Sequence, residues 1–252
     1  MDTDLPKVLH EVGGRPMVCA VIDACREAGC GRIIVVVGYK HELVREVLAD
    51  QTDVEFALQE PQHGTGHAVG ITQGLFERER TQGGHEVLVL CGDGPLIRAA
   101  TLRTILARHR EVDAAATLAT AVLDDPTGYG RIIRDESGGF RAIVEHKNCD
   151  AAQLAVKEVN PSYYCFDVQA MFESLALVRR NEVSGEYYVT DVPELLLGRG
   201  RVVEVIQAVP AEDVLSINTA VDLELVDKIY RERVGVVQNE PTVDPMSSGA
   251  TG

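Results

Sequence analysis

Residues 33–37 read Ile-Ile-Val-Val-Val, an uninterrupted apolar run in which every side chain is β-branched. A strand with one wet face alternates apolar and polar residues; a run like this suits a strand covered on both faces, as in a parallel sheet. Residues 87–91, Val-Leu-Val-Leu-Cys, repeat the pattern and stop at Gly92-Asp93. Helical spacing appears between such runs. Residues 16–28 place Met17, Val21, Ala24, Cys25 and Ala28 on one stripe and end at Gly29 and Gly31, where helices commonly stop. Residues 41–49, 66–76 and 102–109 also read as helices, and 54–58 as a strand. This βαβα rhythm predicts an α/β fold with a doubly wound sheet.

The rhythm then changes. Residues 114–122, 131–134, 140–145 and 163–168 are strand-like and separated by turn-rich pieces, which predicts antiparallel pairing and a mixed sheet. A short helix at 192–197, a strand at 202–206 and a final helix at 219–231 follow. Residues 1–235 are expected to form one domain. The stretch 236–252, rich in Pro, Ser, Gly and Thr, is expected to be a disordered tail. One element lacks its partner. A parallel sheet needs a strand, a crossover and a second strand, yet no strand precedes the helix at residue 16.

Composition excludes some partners. The net charge is −15, so the surface repels nucleic acid and anionic membranes; a locally basic pocket still admits an anionic substrate. No run of about 18 apolar residues occurs, and residues 1–10 lack the apolar core of a signal peptide. Cysteines at 19, 25, 30, 91, 149 and 165 form no Cys-x-x-Cys pair and no zinc-spaced Cys/His cluster. They read as reduced structural thiols of a cytoplasmic protein, with Cys91 and Cys165 buried in strands. A homo-oligomer is compatible with all of this.

Several segments can carry chemistry. Asp4-Leu5-Pro6-Lys7-Val8-Leu9 offers a lysine before a helix, a point charge for a phosphate or simply a solvated lysine. The segment 59–68, Gln-Glu-Pro-Gln-His-Gly-Thr-Gly-His-Ala, follows a strand and opens a helix. Its glycines permit close backbone approach, and Gln59 and Gln62 have amides able to read a base edge; a helix entry that just needs glycine is the plain alternative. In Cys91-Gly92-Asp93-Gly94-Pro95-Leu96 a carboxylate sits at the carboxyl end of a strand, where open α/β sheets bind ligands. It suits Mg²⁺, or it satisfies turn amides. Residues 124–132, 143–147, 158–160 and 184–191 each read alone as turns or strand ends.

In order, DLPKVLH, QxxxxGTGHA, GDxPLI, DDPTGYGRI, IVEHK, an Asn at a strand start and GEYYVTD resemble the uridylyltransferase domain of bacterial N-acetylglucosamine-1-phosphate uridylyltransferase. The resemblance runs from about Asp4 to about Arg233. It implies the nucleotide-diphospho-sugar transferase fold and the reaction of UTP with N-acetylglucosamine 1-phosphate. By motif, Asp93 and Asn218 would hold Mg²⁺ and Lys7 would touch the phosphates. Gln59, Gly64 and Thr65 would hold uracil; Gly130, Glu145, Asn160, Tyr188 and Thr190 would bind the sugar. The family's opening strand and its L-A-A-G-x-G-T-R-M loop have no counterpart in this sequence, so the sheet is expected to miss its first, central strand. Pro161-Ser162-Tyr163 also departs from the pattern, which usually has a small residue and a glycine after the Asn. No acetyltransferase β-helix follows. The same chemistry on another sugar 1-phosphate or nucleotide, and a binding paralogue without turnover, are the competing readings.

Overall fold

The computed structural model describes residues 4–215, 217 and 219–235. Asn218 and the stretch read as a tail, 236–252, lie outside the described residues. A small antiparallel ribbon, β1 (Glu11–Val12) and β2 (Arg15–Pro16), leads into α1 (Met17–Ala28). Then come β3 (Ile33–Val37), α2 (His41–Val47), β4 (Val54–Leu58), α3 (Thr65–Gly70), α4 (Glu77–Gln82), β5 (Glu86–Val89) and α5 (Ala99–Glu111). The second part contains β6 (Ala116–Val122), β7 (Gly130–Arg134), β8 (Phe140–Val144), α6 (Ala151–Leu154) and β9 (Glu158–Asp167). It closes with α7 (Val168–Leu175), α8 (Val192–Gly198), β10 (Val203–Ile206) and α9 (Ala220–Val234). Helix ends follow local chemistry. Gly29, at φ 92°, terminates α1 and returns its amide to Arg26 and Cys25. Thr219 and Asp222 cap the start of α9 reciprocally.

The main sheet runs β10-β6-β9-β7-β8, with β5 also on β9. β10 is parallel to β6, and the remaining pairs in this sheet are antiparallel, so the sheet is mixed as expected. β9 gives one edge to β6 and divides the other between β5, along Tyr164–Asp167, and β7, along Val159 and Asn160. Because β5 and β7 are both antiparallel to β9, the carboxyl end of β5 meets the amino end of β7 at that junction. A bulge there, opposite Ala119–Ala121, contains Asn160, Pro161 and Ser162.

Both faces of β6 and β9 are covered. On one side Ala119, Tyr163 and Cys165 pack with α1 and α5 through Val21, Ala24, Leu102 and Ile105. On the other, Leu118, Tyr164 and Phe166 pack with α7 and α8 through Met171, Phe172 and Leu196. β3 and β4 pair in parallel as a separate two-stranded sheet. Thus β3 and β5, whose sequences ask for two covered faces, are not bonded to each other, and most of their side chains are only half-buried.

Some expectations change. The strand placed at 163–168 begins at Glu158, because the bulge carries it past Pro161. The helix read at 66–76 starts at Thr65 and tightens into 3₁₀ turns at Ile71–Phe76. α7 was not read from the sequence, although Asp167 caps it. Cys165 is fully buried as expected, but Cys91 is exposed: its strand end borders open space, not core.

Candidate active site

The ends of β3 and β5 are tied together by the start of the chain. A 3₁₀ turn, Lys7–Leu9, lies against the end of β5, where a Cβ on Gly92 would stand 3.6 Å from a Val8 methyl. Lys7 Nζ donates to Asp93 Oδ2 at 2.7 Å. Both side chains are about a third or more exposed, so this pair adds at most about 1 kcal/mol to stability. Asp4 pairs with Lys40, just past β3, at 2.5 Å and accepts from the Tyr39 hydroxyl at 3.1 Å. These contacts hold the Asp4 carboxyl below the usual range.

Beyond β4, Gln59 is buried and its backbone N–H donates to the Val37 carbonyl at 2.7 Å. Its side-chain Nε2 reaches the Gly64 carbonyl at 3.0 Å and His67 Nδ1 at 3.1 Å. The amide nitrogen thus braces the loop and leaves the amide oxygen as the acceptor for a ligand. Gly64, at φ 94°, lies so close to the 186–188 segment that a Cβ would stand 2.6 Å from the Tyr187 carbonyl. That carbonyl accepts from Gly66 N–H at 2.8 Å, Tyr187 N–H donates to His63 at 2.8 Å, and Val189 N–H donates to Thr65 Oγ1 at 3.1 Å. The glycines and Thr65 therefore clamp the 187–189 strap onto the loop. The α3 amino end is occupied by that strap and is not an open anion seat.

The residues assigned to the sugar gather next to it. Thr190 Oγ1 donates to Glu145 Oε1 at 2.9 Å. Tyr188 donates to Ser184 Oγ at 2.6 Å and carries Lys147 Nζ over its ring at 5.2 Å. Gly130 faces Asn160 in register across β7 and β9, with Glu145 Oε2 3.7 Å from where its Cβ would be. Asn160 is buried and engaged internally: its amide donates to Tyr164 Oη at 2.5 Å and its oxygen accepts from Ser162 N–H at 3.2 Å.

Two cavities join these groups. Gln59, Gln62, Thr65, Glu145 and Thr190 line one of about 740 Å³. Asp93, Asn160, Tyr129 and Tyr163 line another of about 140 Å³, and Cys91 and Ser162 border both. Of the two oxygen ligands assigned to a metal, the structure places Asp93. No group of three or more His, Cys, Asp or Glu side chains among the described residues could hold a metal ion. A single carboxylate such as Asp93 would suit Mg²⁺, which takes one or two protein carboxylates beside substrate phosphates, and would not suit a metal held by protein ligands alone.

Other contributors escaped the sequence reading. Asp213 is almost fully buried and holds Arg98 at 2.6 Å and Arg233 at 2.5 Å, fastening α9 beside the small cavity. A signal existed only in the third dimension, since 115 and 20 residues separate the partners. Arg131, inside the DDPTGYGRI motif, is buried and donates to the Tyr129 carbonyl, fixing that turn from beneath. Asp191 holds its proton up to about pH 6, because burial, then Glu194 and Glu145, disfavour its charge.

No described helix is long and apolar enough to cross a membrane. Residues 1–182 match the MobA-like NTP transferase domain family. Curated relatives described as bifunctional protein GlmU, from Bacillus thuringiensis (strain Al Hakam) and Bacillus cereus (strain AH820), are 40% identical over 251 residues, 98% of this chain and 53% of theirs. The chain spans about half the length of these relatives. Among solved structures, a putative glucose-1-phosphate thymidylyltransferase from Bacillus anthracis superposes with a TM-score of 0.71 at 17% identity, covering 90% of this chain and 87% of that one. An apo UDP-glucose pyrophosphorylase gives 0.69 at 14% identity, covering 91% and 92%. These likenesses show the fold. The family match covers well over half of the sequence, and the chain belongs to the MobA-like NTP transferase domain family of nucleotidyltransferases.

Proposed function

We propose that the chain transfers uridylyl from UTP to N-acetylglucosamine 1-phosphate, giving UDP-N-acetylglucosamine and pyrophosphate. The observation that carries this reading is the junction on β9. It brings the Lys7–Asp93 pair, just beyond β5, next to Gly130 at the start of β7 and its partner Asn160 on β9. Of the motif residues, Gln59, Gln62, Thr65, Val189 and Thr190 border the adjoining cavity. The likeness to the GlmU relatives supports the choice of base and sugar.

A phosphate oxygen of the sugar phosphate attacks the α-phosphorus in line; the bond from that phosphorus to the β-phosphate oxygen breaks, and pyrophosphate leaves. No covalent enzyme intermediate forms, so positioning and charge neutralisation do the work. Lys7 turns from Asp93 to the phosphates. Gln59 presents its amide oxygen to the uracil N–H, on the loop that Gly64 and Thr65 keep clamped. Glu145, held by Thr190, accepts from sugar hydroxyls, while Gly130, Asn160 and Tyr188 shape the acetamido side. Mg²⁺ at Asp93, with Asn218 as its second assigned ligand, supplies charge neutralisation at the phosphates when bound.

Phosphorus NMR on the protein with UTP, Mg²⁺ and a panel of sugar 1-phosphates tests the reading. The N-acetylglucosamine product is expected to dominate. A dominant product from glucose 1-phosphate would replace the sugar, and absence of any UDP-sugar from folded protein would sink the proposal. Lys7→Ala is expected to weaken nucleotide use at least tenfold in kcat/KM, the loss of one charge-assisted phosphate contact of about 1.5–3 kcal/mol.

A further inference from the structure

Gln59 is held from three sides. Its backbone N–H is bonded to the Val37 carbonyl at the end of β3, and the residue is buried. The Gly64 carbonyl already accepts from Ala68 N–H at 3.0 Å in the first turn of α3, and its second lone pair takes the Gln59 side-chain Nε2 at 3.0 Å. A carbonyl can only accept, so this contact fixes which end of the amide faces it. Nε2 also stands 3.1 Å from His67 Nδ1, and its remaining hydrogen goes there.

A primary amide nitrogen has two hydrogens. With one on Gly64 and one on His67, Gln59 has no side-chain donor left, and its amide oxygen is what it can offer the cavity it lines. For Nδ1 to accept, the His67 ring must carry its proton on Nε2. The ring is placed by α3, whose first turn is clamped to the 187–189 strap through Gly66 and Thr65. His67 itself lines neither cavity, so it acts on a ligand through Gln59 and not by contact.

We propose that His67 is a positioning residue that sets base specificity: by accepting from Gln59 it makes the amide an acceptor-only reader, which takes a pyrimidine whose ring N3 carries a hydrogen (uracil or thymine) and rejects cytosine, whose N3 is a bare acceptor. Two acceptors brought face to face in a buried site leave both without a partner, and that penalty discriminates far more strongly than a difference in shape. A side chain with no acceptor at position 67 frees one hydrogen of Nε2; the amide can then turn, and cytosine finds a donor. This inference rests on the base-binding reading of Gln59 given above and adds the residue that sets its selectivity.

The test measures binding of uridine diphosphate and cytidine diphosphate to the full chain and two variants by calorimetry, with no turnover required. The parent is expected to prefer the uridine nucleotide about tenfold or more. His67→Leu is expected to bring the two affinities within about threefold of each other, whereas His67→Asn, whose side-chain oxygen stands near the place of Nδ1, keeps the preference. A residue that only braced the loop would weaken both nucleotides alike and leave their ratio unchanged. Nitrogen NMR of histidine-labelled parent near neutral pH, with the His67→Asn variant to assign the signal, should show Nδ1 bare and Nε2 protonated. An unchanged preference in His67→Leu, the same loss in both variants, or a proton on Nδ1 would overturn the proposal and leave the transfer reaction standing. A parent that binds both nucleotides equally would overturn it too, with pyrophosphate release judging the reaction separately. A preference for uridine that His67→Leu abolishes, in a protein that releases no pyrophosphate, would uphold this inference and sink the reaction.

Discussion

Ser162 sits at φ +65°, in the left-handed region that glycine occupies freely. It stands in the bulge of β9 at the place where the motif series departs from its usual pattern, so the departure is a serine held in a glycine conformation. That conformation costs a non-glycine residue roughly 1–2 kcal/mol, part of which glycine's extra entropy in the unfolded chain returns. Ser162→Gly is expected to stabilise the protein by about 0.5–1 kcal/mol, read as a rise of about 1–4 °C in Tm; a fall would mean that the serine side chain is worth more than the strain. Asp191 makes a second residue-scale prediction. Its folded carboxyl titrates at about 6, above the unfolded value of 3.8. The folded state therefore holds the proton longer, and stability falls as pH rises from about 4 to 6, then levels off. Asp191 makes no side-chain bond at the start of α8. Asp191→Asn should thus melt higher than the parent at pH 7.5, with the difference closing toward pH 4; a pH-independent difference would show that the buried charge is not what destabilises the parent.

At the scale of elements, the loop after β4 and the 187–190 strap form one unit. Gly64→Ala would press a methyl against the Tyr187 carbonyl in a left-handed backbone, and is expected to cost about 2 kcal/mol or more by thermal unfolding, with strap amides exchanging faster. Normal exchange at residues 187–190 would show that the clamp does not depend on this glycine. What was legible in the sequence divides along the same line. Strands at 33–37, 54–58 and 203–206 could be read because runs rich in β-branched and apolar residues favour extended chain, even where the side chains end up half-buried. β9 was half-read, since Pro161 and Ser162 interrupt its pattern at a bulge, and a bulge is a tertiary device. The motif residues converge, but several turn out to hold neighbours: Thr65 takes the Val189 amide, and Asn160 is spent on Tyr164 and Ser162. Sequence gives the residue type at a site and not its hydrogen-bond partners, so the split between ligand contacts and bracing needed the structure. The Arg98–Asp213–Arg233 anchor was invisible for the same reason.

At the scale of the whole molecule, the chain is a nucleotidyltransferase fold in which β3 and β4 form a sheet apart from the six-stranded one, and residues of both border the cavity of about 740 Å³. The helix α1 follows the two-residue ribbon strands β1 and β2 and not a strand of the main sheet, and its Val21, Ile22 and Cys25 line that cavity. The residues proposed to bind substrate lie around the same cavity: Lys7 and Asp93 beyond β5, Gln59 beyond β4, and Gly130 and Asn160 where β7 meets β9. The central claim is that the β9 junction is a uridylyl-transfer site, and pyrophosphate release measures it most directly. With UTP, N-acetylglucosamine 1-phosphate and Mg²⁺, the 252-residue chain is expected to release pyrophosphate with matching UDP-N-acetylglucosamine, and Asp93→Ala is expected to lower the rate at least a hundredfold, about 2.7 kcal/mol of transition-state stabilisation. Folded protein that releases no pyrophosphate, or an Asp93→Ala variant as fast as its parent, would contradict the account.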